Sequence, residues 1–290
     1  MKRIAKGAFY VFIAAVLVLS LLVLIGLVEA ASQPIERRLG LGLSGWPRKV
    51  APVQVALLSD IHFGNRAMTL GRLDRIVDQV NAAHPDLILI AGDFVVDHEV
   101  EGAAKHAACL TGPLGRLRAP LGTIAVLGNH DHWTAPDAIR TALTRAGITV
   151  LANRAQRRGP LLILGADDAF SGHDDLAKTL SGGKGKGGIP LLLTHSPDLL
   201  PKLREPIPLV MVGHTHCGQV VLPRIGPLIT QAPKLGGKAL YDPRYRCGIV
   251  RDGERVTVVT GGLGSGTSPI RLGAPPDWWL VRIGPSRPKA

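Results

Sequence analysis

Val53-Gln-Val-Ala-Leu-Leu-Ser-Asp-Ile-His62 places a short apolar run directly before two side chains that can bind a cation. Val53 to Leu58 has strand length and is apolar at nearly every position, as expected of a strand covered on both faces. The arrangement recurs downstream. Leu87 to Ala91 runs into Gly92-Asp93, Thr123 to Leu127 into Gly128-Asn129-His130-Asp131, Leu191 to Thr194 into His195, and Leu209 to Val212 into Gly213-His214-Thr-His216. Leu161 to Leu164 reads as another buried strand. Between the first two strands, Leu70, Leu73, Ile76, Val77 and Val80 recur at helical spacing and give one apolar face. A second helix is expected from Thr134, with Pro136 in its first turn and Asp137 three residues after the cap. Strands alternating with helices define an α/β layer fold, and polar residues just past strand ends are where such sheets gather their site loops.

Working outward, the 290 residues allow one large domain, expected over 53–285. Residues 32–52 are rich in Pro, Gly and Arg and read as a linker. Ahead of them, Gly7 to Val28 is uncharged and strongly apolar, preceded by Lys2, Arg3 and Lys6. As a helix this run covers roughly 30 Å, enough to cross a hydrocarbon core. Residues 1–31 are therefore read as a transmembrane anchor; a signal segment cleaved after Ala30 is the alternative, and the run is longer than the usual apolar core of a signal. The basic N-terminal flank favours that end in the cytoplasm, whereas Arg37, Arg38, Arg48 and Lys49 oppose this, so the side of the membrane stays open.

Lys and Arg exceed Asp and Glu by 12, which suits anionic partners without choosing among them. Cys109, Cys217 and Cys247 are too few and too scattered to read as a disulfide framework, so stability is expected from packing. The Gly-Lys-rich run from Ser181 to Gly188 lacks the Gly-Lys-Ser/Thr ending of a phosphate-binding loop and reads as solvated surface. After Gly218, short strands through Val256 to Val259 and Trp279 to Ile283 suggest a second, mostly antiparallel sheet.

The five polar segments supply carboxylate oxygen and imidazole nitrogen in one set, the chemistry that a pair of divalent cations requires. Each alone is ordinary: a His or an Asn after a strand is usually just a turn residue. Five strand ends acquiring it together are not. The order Asp-x-His, Gly-Asp, Gly-Asn-His-Asp, His and Gly-His-x-His resembles the calcineurin-like metallophosphoesterase superfamily. What the resemblance implies is a four-layer αββα sandwich of two mixed β-sheets flanked by helices, carrying a dinuclear centre of manganese, iron or zinc. Asp60, His62 and His216 would hold one cation, Asn129, His195 and His214 the other, and Asp93 would bridge them. A hydroxide activated by the two metals would attack phosphorus, with His130 stabilising the transition state or protonating the leaving oxygen and Asp131 orienting its ring.

A closer likeness is to the branch with a membrane or export segment, carried by Gly213-His-Thr-His-Cys-Gly-Gln219 and Gly261-Gly-Leu-Gly-Ser-Gly-Thr-Ser-Pro-Ile-Arg271. That branch implies hydrolysis of phosphodiesters or phosphomonoesters at a membrane, on a phosphorylated small molecule or lipid; cleavage of the pyrophosphate of UDP-2,3-diacylglucosamine in lipid A synthesis is the alternative. A non-catalytic binding module ranks lower because the ligand set is complete. No nucleic-acid module is recognisable, so a nucleic-acid partner is not expected. Cys217 reads as a small buried spacer, Arg271 as either a phosphate ligand or a carboxylate partner, and Trp278 and Trp279 as either interfacial or core.

Overall fold

The computed structural model describes residues 2–96, 99–232 and 236–286. Helix α1 (Lys2–Ala30) comes first, followed by strand β1 (Ile35–Leu43). Then come β2 (Val53–Leu58), α2 (Leu70–Ala82), β3 (Leu87–Ala91), α3 (Val100–Leu114), β4 (Thr123–Val126), the single-turn α4 (Asn129–Trp133), α5 (Pro136–Arg145) and β5 (Thr149–Val150). Strands β6 (Arg154–Arg158) and β7 (Leu161–Gly165), helix α6 (Leu176–Ser181), and strands β8 (Ile189–Leu193) and β9 (Leu209–Val212) follow. Two small hairpins come next, β10 (Val221–Leu222) with β11 (Gly226–Pro227), and β12 (Gln231–Ala232) with β13 (Lys238–Ala239). The last strands are β14 (Gly248–Asp252), β15 (Arg255–Val259) and β16 (Asp277–Pro285).

Two six-stranded mixed sheets result, ordered β1-β16-β2-β3-β4-β5 and β14-β15-β9-β8-β7-β6. In the first, only the β16–β2 pair is antiparallel; in the second, β9, β8 and β7 run parallel and both outer pairs are antiparallel. Strand alternation explains the layering. On β2, Val55 and Leu57 meet Ile163, Leu191 and Met211 between the sheets, while Ala56 and Leu58 join Leu73, Ile76 and Leu110 beneath α2 and α3. A third apolar layer, with Leu164, Leu192, Val210 and Leu200, covers the outer face of the second sheet. The fold is thus the αββα sandwich, with both faces of each central strand dry.

Several sequence expectations change. Residues 32–52, read as a linker, contain β1, which pairs in parallel with β16 and sinks Leu41 and Leu43 into the inter-sheet core. The period of two, Leu39, Leu41 and Leu43, was masked by the intervening Gly40 and Gly42. Gly42 has its own reason: a Cβ there would stand 2.7 Å from the Ser286 backbone. The helix expected from Thr134 is split. Asn129 already begins α4, and the Thr134 hydroxyl donates back to the His130 carbonyl at 2.7 Å before α5 restarts at Pro136 without a side-chain cap. The strands after Gly218 do not form a separate antiparallel sheet. β14 and β15 extend the second sheet, and β16 crosses into the first, burying Trp278 and Trp279 there.

The cysteines also differ from expectation. Cys217 and Cys247 form a disulfide, so Cys217 is more than a spacer, and Cys109 is free and exposed. A separation of 30 residues with no local spacing signal is invisible in sequence. Closing a loop of that length restricts the unfolded chain, so Cys247→Ser is expected to cost about 2–4 kcal/mol, read as a lowered Tm under non-reducing conditions.

Candidate metal centre

Both sheets deliver the C-terminal ends of their parallel strands to one place. Asp60 and His62 follow β2, Asp93 follows β3, Asn129 and His130 follow β4, His195 follows β8, and His214 and His216 follow β9. Five of the seven candidate ligands, Asp60, His62, Asp93, His214 and His216, adopt left-handed backbone with φ between 48° and 69°. Such conformations are unfavourable for non-glycine residues and persist only where surrounding structure imposes them, as it does at functional sites. The neighbouring glycines leave the room. A Cβ on Gly128 would lie 2.6 Å from the Asp93 nitrogen, and one on Gly213 would lie 2.6 Å from Asp60 Oδ2.

The side chains gather into two groups sharing a carboxylate. In the first, His62 Nε2 faces His216 Nε2 at 3.1 Å, with Asp60 Oδ1 3.7 Å from one and 3.6 Å from the other. In the second, His195 Nε2 lies 3.0 Å from Asn129 Oδ1, 3.1 Å from His214 Nδ1 and 3.3 Å from Asp93 Oδ2. The same Asp93 Oδ2 is 3.5 Å from His62 Nε2. The structure therefore brings together all seven residues read from the sequence.

The donor set fits a pair of divalent cations. His195 Nδ1–H donates to the Ala91 carbonyl at 2.6 Å and His214 Nε2–H to the Leu240 carbonyl at 2.9 Å, which leaves the inward nitrogen of His214 as a lone pair and makes that of His195 one as soon as its proton is displaced. Asp60 Oδ2 accepts the His214 N–H, whereas Asp60 Oδ1 is buried with no hydrogen-bond partner and aims at the His62–His216 pair. Lone pairs and an unpaired carboxylate oxygen converging on two points are what a cation resolves.

Electrostatics agree with this. Burial pushes His62 down to about 3, His214 down to about 4, and His216 well below the usual imidazole range, so these rings stay neutral. Burial raises Asp60 to about 7. For His195 burial lowers the value, but the Asp93 charge and hydrogen bond outweigh it and hold the ring protonated. A cation must displace the protons of Asp60 and His195. Affinity is therefore expected to fall at least about tenfold per pH unit on acidification below about 7, measurable by competition with a calibrated chelator.

Two further residues tie the site to the backbone around it. The Asp131 carboxylate accepts the backbone N–H groups of Asp93, Phe94 and Gly128 at 2.8–2.9 Å, so it fixes the turn that carries Asp93. Among the described residues Arg271 makes no hydrogen bond to a carboxylate. It is fully buried, donates to the carbonyls of Gly261, Gly264 and Ala274, and sets Nη2 2.9 Å from His216 Nδ1. Sequence reading also missed the entrance. His130 packs edge-on to His62 at 5.0 Å and against half-exposed Trp133 at 5.4 Å, and Phe170 lies 4.5 Å from His214 beneath the Lys238 ammonium.

With this geometry in view, the sequence model described as calcineurin-like phosphoesterase matches residues 53–218, more than half of the chain. The chain belongs to the calcineurin-like phosphoesterases. Among curated calcineurin-like relatives, a transmembrane protein with metallophosphoesterase domain from Danio rerio is 33% identical over 292 residues, covering 93% of this chain and 62% of that protein. The chain thus spans less than two thirds of the zebrafish protein's length. An uncharacterized metallophosphoesterase, YkuE, from Bacillus subtilis (strain 168) is 31% identical across 77% of this chain and 76% of that one. The phosphodiesterase YaeI of Escherichia coli (strain K12) is 30% identical across 80% and 83%. A calcineurin-like phosphoesterase is a phosphohydrolase, and α1 is long and apolar enough to cross a membrane.

Proposed function

We propose that this calcineurin-like phosphoesterase is a membrane-anchored, metal-dependent phosphodiesterase. The observation that carries the reading is the convergence of Asp60, His62 and His216 with Asn129, His195 and His214 on the shared Asp93 carboxylate. These residues would hold two divalent cations, with Asp93 between them. When bound, the cations supply an activated water and neutralise charge on the phosphoryl oxygens. The chain's own residues do the rest. The left-handed turns hold the donors rigidly, Asp131 fixes Asp93, and the His130 ring stands beside the site where it reaches a leaving oxygen and returns a proton to it. Trp133 and Phe170 give the departing group an aromatic wall. The phosphodiesterase name of the Escherichia coli relative supports the diester over the monoester.

The anchor is α1, supported by its length, its apolar surface and the transmembrane name of the Danio rerio relative. The Cys217–Cys247 disulfide favours the oxidising side of the membrane for the catalytic domain, in keeping with the basic flank before Gly7. Cys109 tests this directly because it is free and exposed. An impermeant maleimide is expected to label it in sealed right-side-out vesicles, and labelling only after lysis would reverse the orientation.

Activity is tested with the full chain in detergent, stripped of metal and reloaded with manganese, zinc or iron, on bis(p-nitrophenyl) phosphate, p-nitrophenyl phosphate and UDP-2,3-diacylglucosamine. Metal-restored turnover with a preference for the diester is the expected result. Preference for the nucleotide sugar would replace it with the pyrophosphatase reading, and no turnover with metal bound would remove the phosphodiesterase reading altogether.

A further inference from the structure

The end of α1 is bonded to the rim of the metal site. The Gly26 carbonyl accepts the Arg271 N–H at 2.9 Å, and Glu29 Oε2 accepts the Gly273 N–H at 3.3 Å. Just past the helix, the Ser32 carbonyl accepts from Arg72 Nη2 at 2.7 Å, and the same nitrogen reaches the Leu263 carbonyl at 2.8 Å. On the site side of these ties, Arg271 Nη2 stands 2.9 Å from His216 Nδ1, and the Gly264 N–H donates to the Asp60 carbonyl at 2.7 Å. One residue, Arg271, therefore spans from the backbone of the apolar helix to a candidate ligand. Gly26 lies four residues before the helix end, about 6 Å along its axis, which is the edge of the hydrocarbon for a helix crossing roughly 30 Å.

A second apolar element adjoins this junction. The turn bearing His216 runs through Gln219 into hairpin β10–β11, whose base pairs with the same loop: Val221 N–H donates to the Leu272 carbonyl at 2.7 Å, and Leu272 N–H to the Gln219 carbonyl at 2.9 Å. Beyond the base, the hairpin turns its large apolar side chains to the outside. Ile225 is 73% exposed, Ile229 60% and Leu228 53%, values otherwise matched mainly along α1 itself. From Gln219 to Cys247 the sequence carries Arg224, Lys234, Lys238, Arg244 and Arg246 against a single acid, Asp242. Exposed aliphatics with basic neighbours, continuous with a membrane helix, are the composition of an element that lies in the interface of an anionic bilayer.

We propose that the β10–β11 hairpin with Leu228 and Ile229 is a second membrane contact, seated in the leaflet that holds the Gly26 end of α1. The metal centre is thereby clamped at headgroup level, and its substrate is the phosphodiester of an amphiphile whose chains stay in that leaflet. This rests on α1 being the anchor and on the phosphodiesterase reading. It adds the docking element and the substrate class.

The test uses the full chain in nanodiscs of phosphatidylglycerol and phosphatidylethanolamine. With Cys109→Ser removing the free thiol, Ile225→Cys is labelled with an environment-sensitive fluorophore. Blue-shifted emission, quenched when the acyl chains are brominated, is expected; emission that bromine leaves unchanged overturns the proposal. In a second arm, Ile225→Asp, Leu228→Asp and Ile229→Asp are combined. Turnover of a diacyl phosphodiester in the discs is expected to fall about tenfold, while bis(p-nitrophenyl) phosphate hydrolysis in detergent is unchanged. Equal losses on both substrates overturn it. Quenching without hydrolysis of any phosphoester removes the phosphodiesterase reading and leaves the hairpin contact standing, whereas a chain that fails to enter the discs removes the anchor and the contact with it.

Discussion

Asp93→Asn is expected to lower kcat/KM on a phosphodiester by roughly 10³-fold, the equivalent of several kcal/mol of lost transition-state stabilisation, while leaving the fold intact. The substitution is selective because the two carboxylate oxygens do different things. Oδ1 accepts the His130 N–H at 2.9 Å, a bond that an amide oxygen keeps. Oδ2 faces His62 and His195, and an NH₂ group in its place cannot accept or bridge. Burial pushes Asp93 upward, but the charges of His195 and His130 outweigh it and hold the carboxyl well below its usual range, so the native group is an anion whenever the site is in use. Metal content by mass spectrometry should fall below two ions per chain. Turnover within tenfold of the parent, with two ions retained, would remove Asp93 from the bridging position.

Asp131→Ala is expected to be the most destabilising single change near the site, by about 3–5 kcal/mol, because it strands buried donors. Asp93, Phe94 and Gly128 each lose the acceptor of a backbone N–H in a region without solvent. Burial, and then the Asp93 charge, raise Asp131 to about 7, whereas the Gly128 and Phe94 N–H groups pull the other way. The folded value lies above the ordinary carboxyl range, so this ionisation alone weakens the fold as pH rises through about 7. What the carboxylate contributes is therefore its acceptors and not its charge, and Asp131→Asn, which keeps one oxygen, should lose less stability than alanine. Thermal unfolding of both variants checks the ranking. Activity lost with unchanged Tm would instead favour direct contact with the reaction.

The legible parts of the molecule share a property: their meaning is local. Val53 to Leu58 announces a strand dry on both faces, and the polar residues after it and after β3, β4, β8 and β9 announce a site at the strand ends. Distant residues had to fold together before their roles emerged. β1 needed its partner β16 to be recognised beneath its glycines. Cys217 and Cys247 become a pair only when the hairpins between them fold back. Arg271 and Asp131 look like substrate or catalytic groups in a list of motifs, yet Asp131 spends its hydrogen bonds on backbone and Arg271 all of its own but the one at His216, a role with no sequence signature because any carbonyl or N–H serves.

The place of β16 has a consequence for assembly. It lies between β1 and β2, pairing with one in parallel and the other antiparallel, so two elements made early stay apart until one made late slides between them. Until β16 is made, β2 presents an unpaired edge, the surface on which strands of other copies add. Maturation then ends in one insertion that seals the sheet and brings Arg271 and Gly273, just ahead of β16, against the end of α1. Crowded or rapid synthesis should therefore favour intermolecular strand addition at β2, and a holdase acting on the late-folding chain would suppress it.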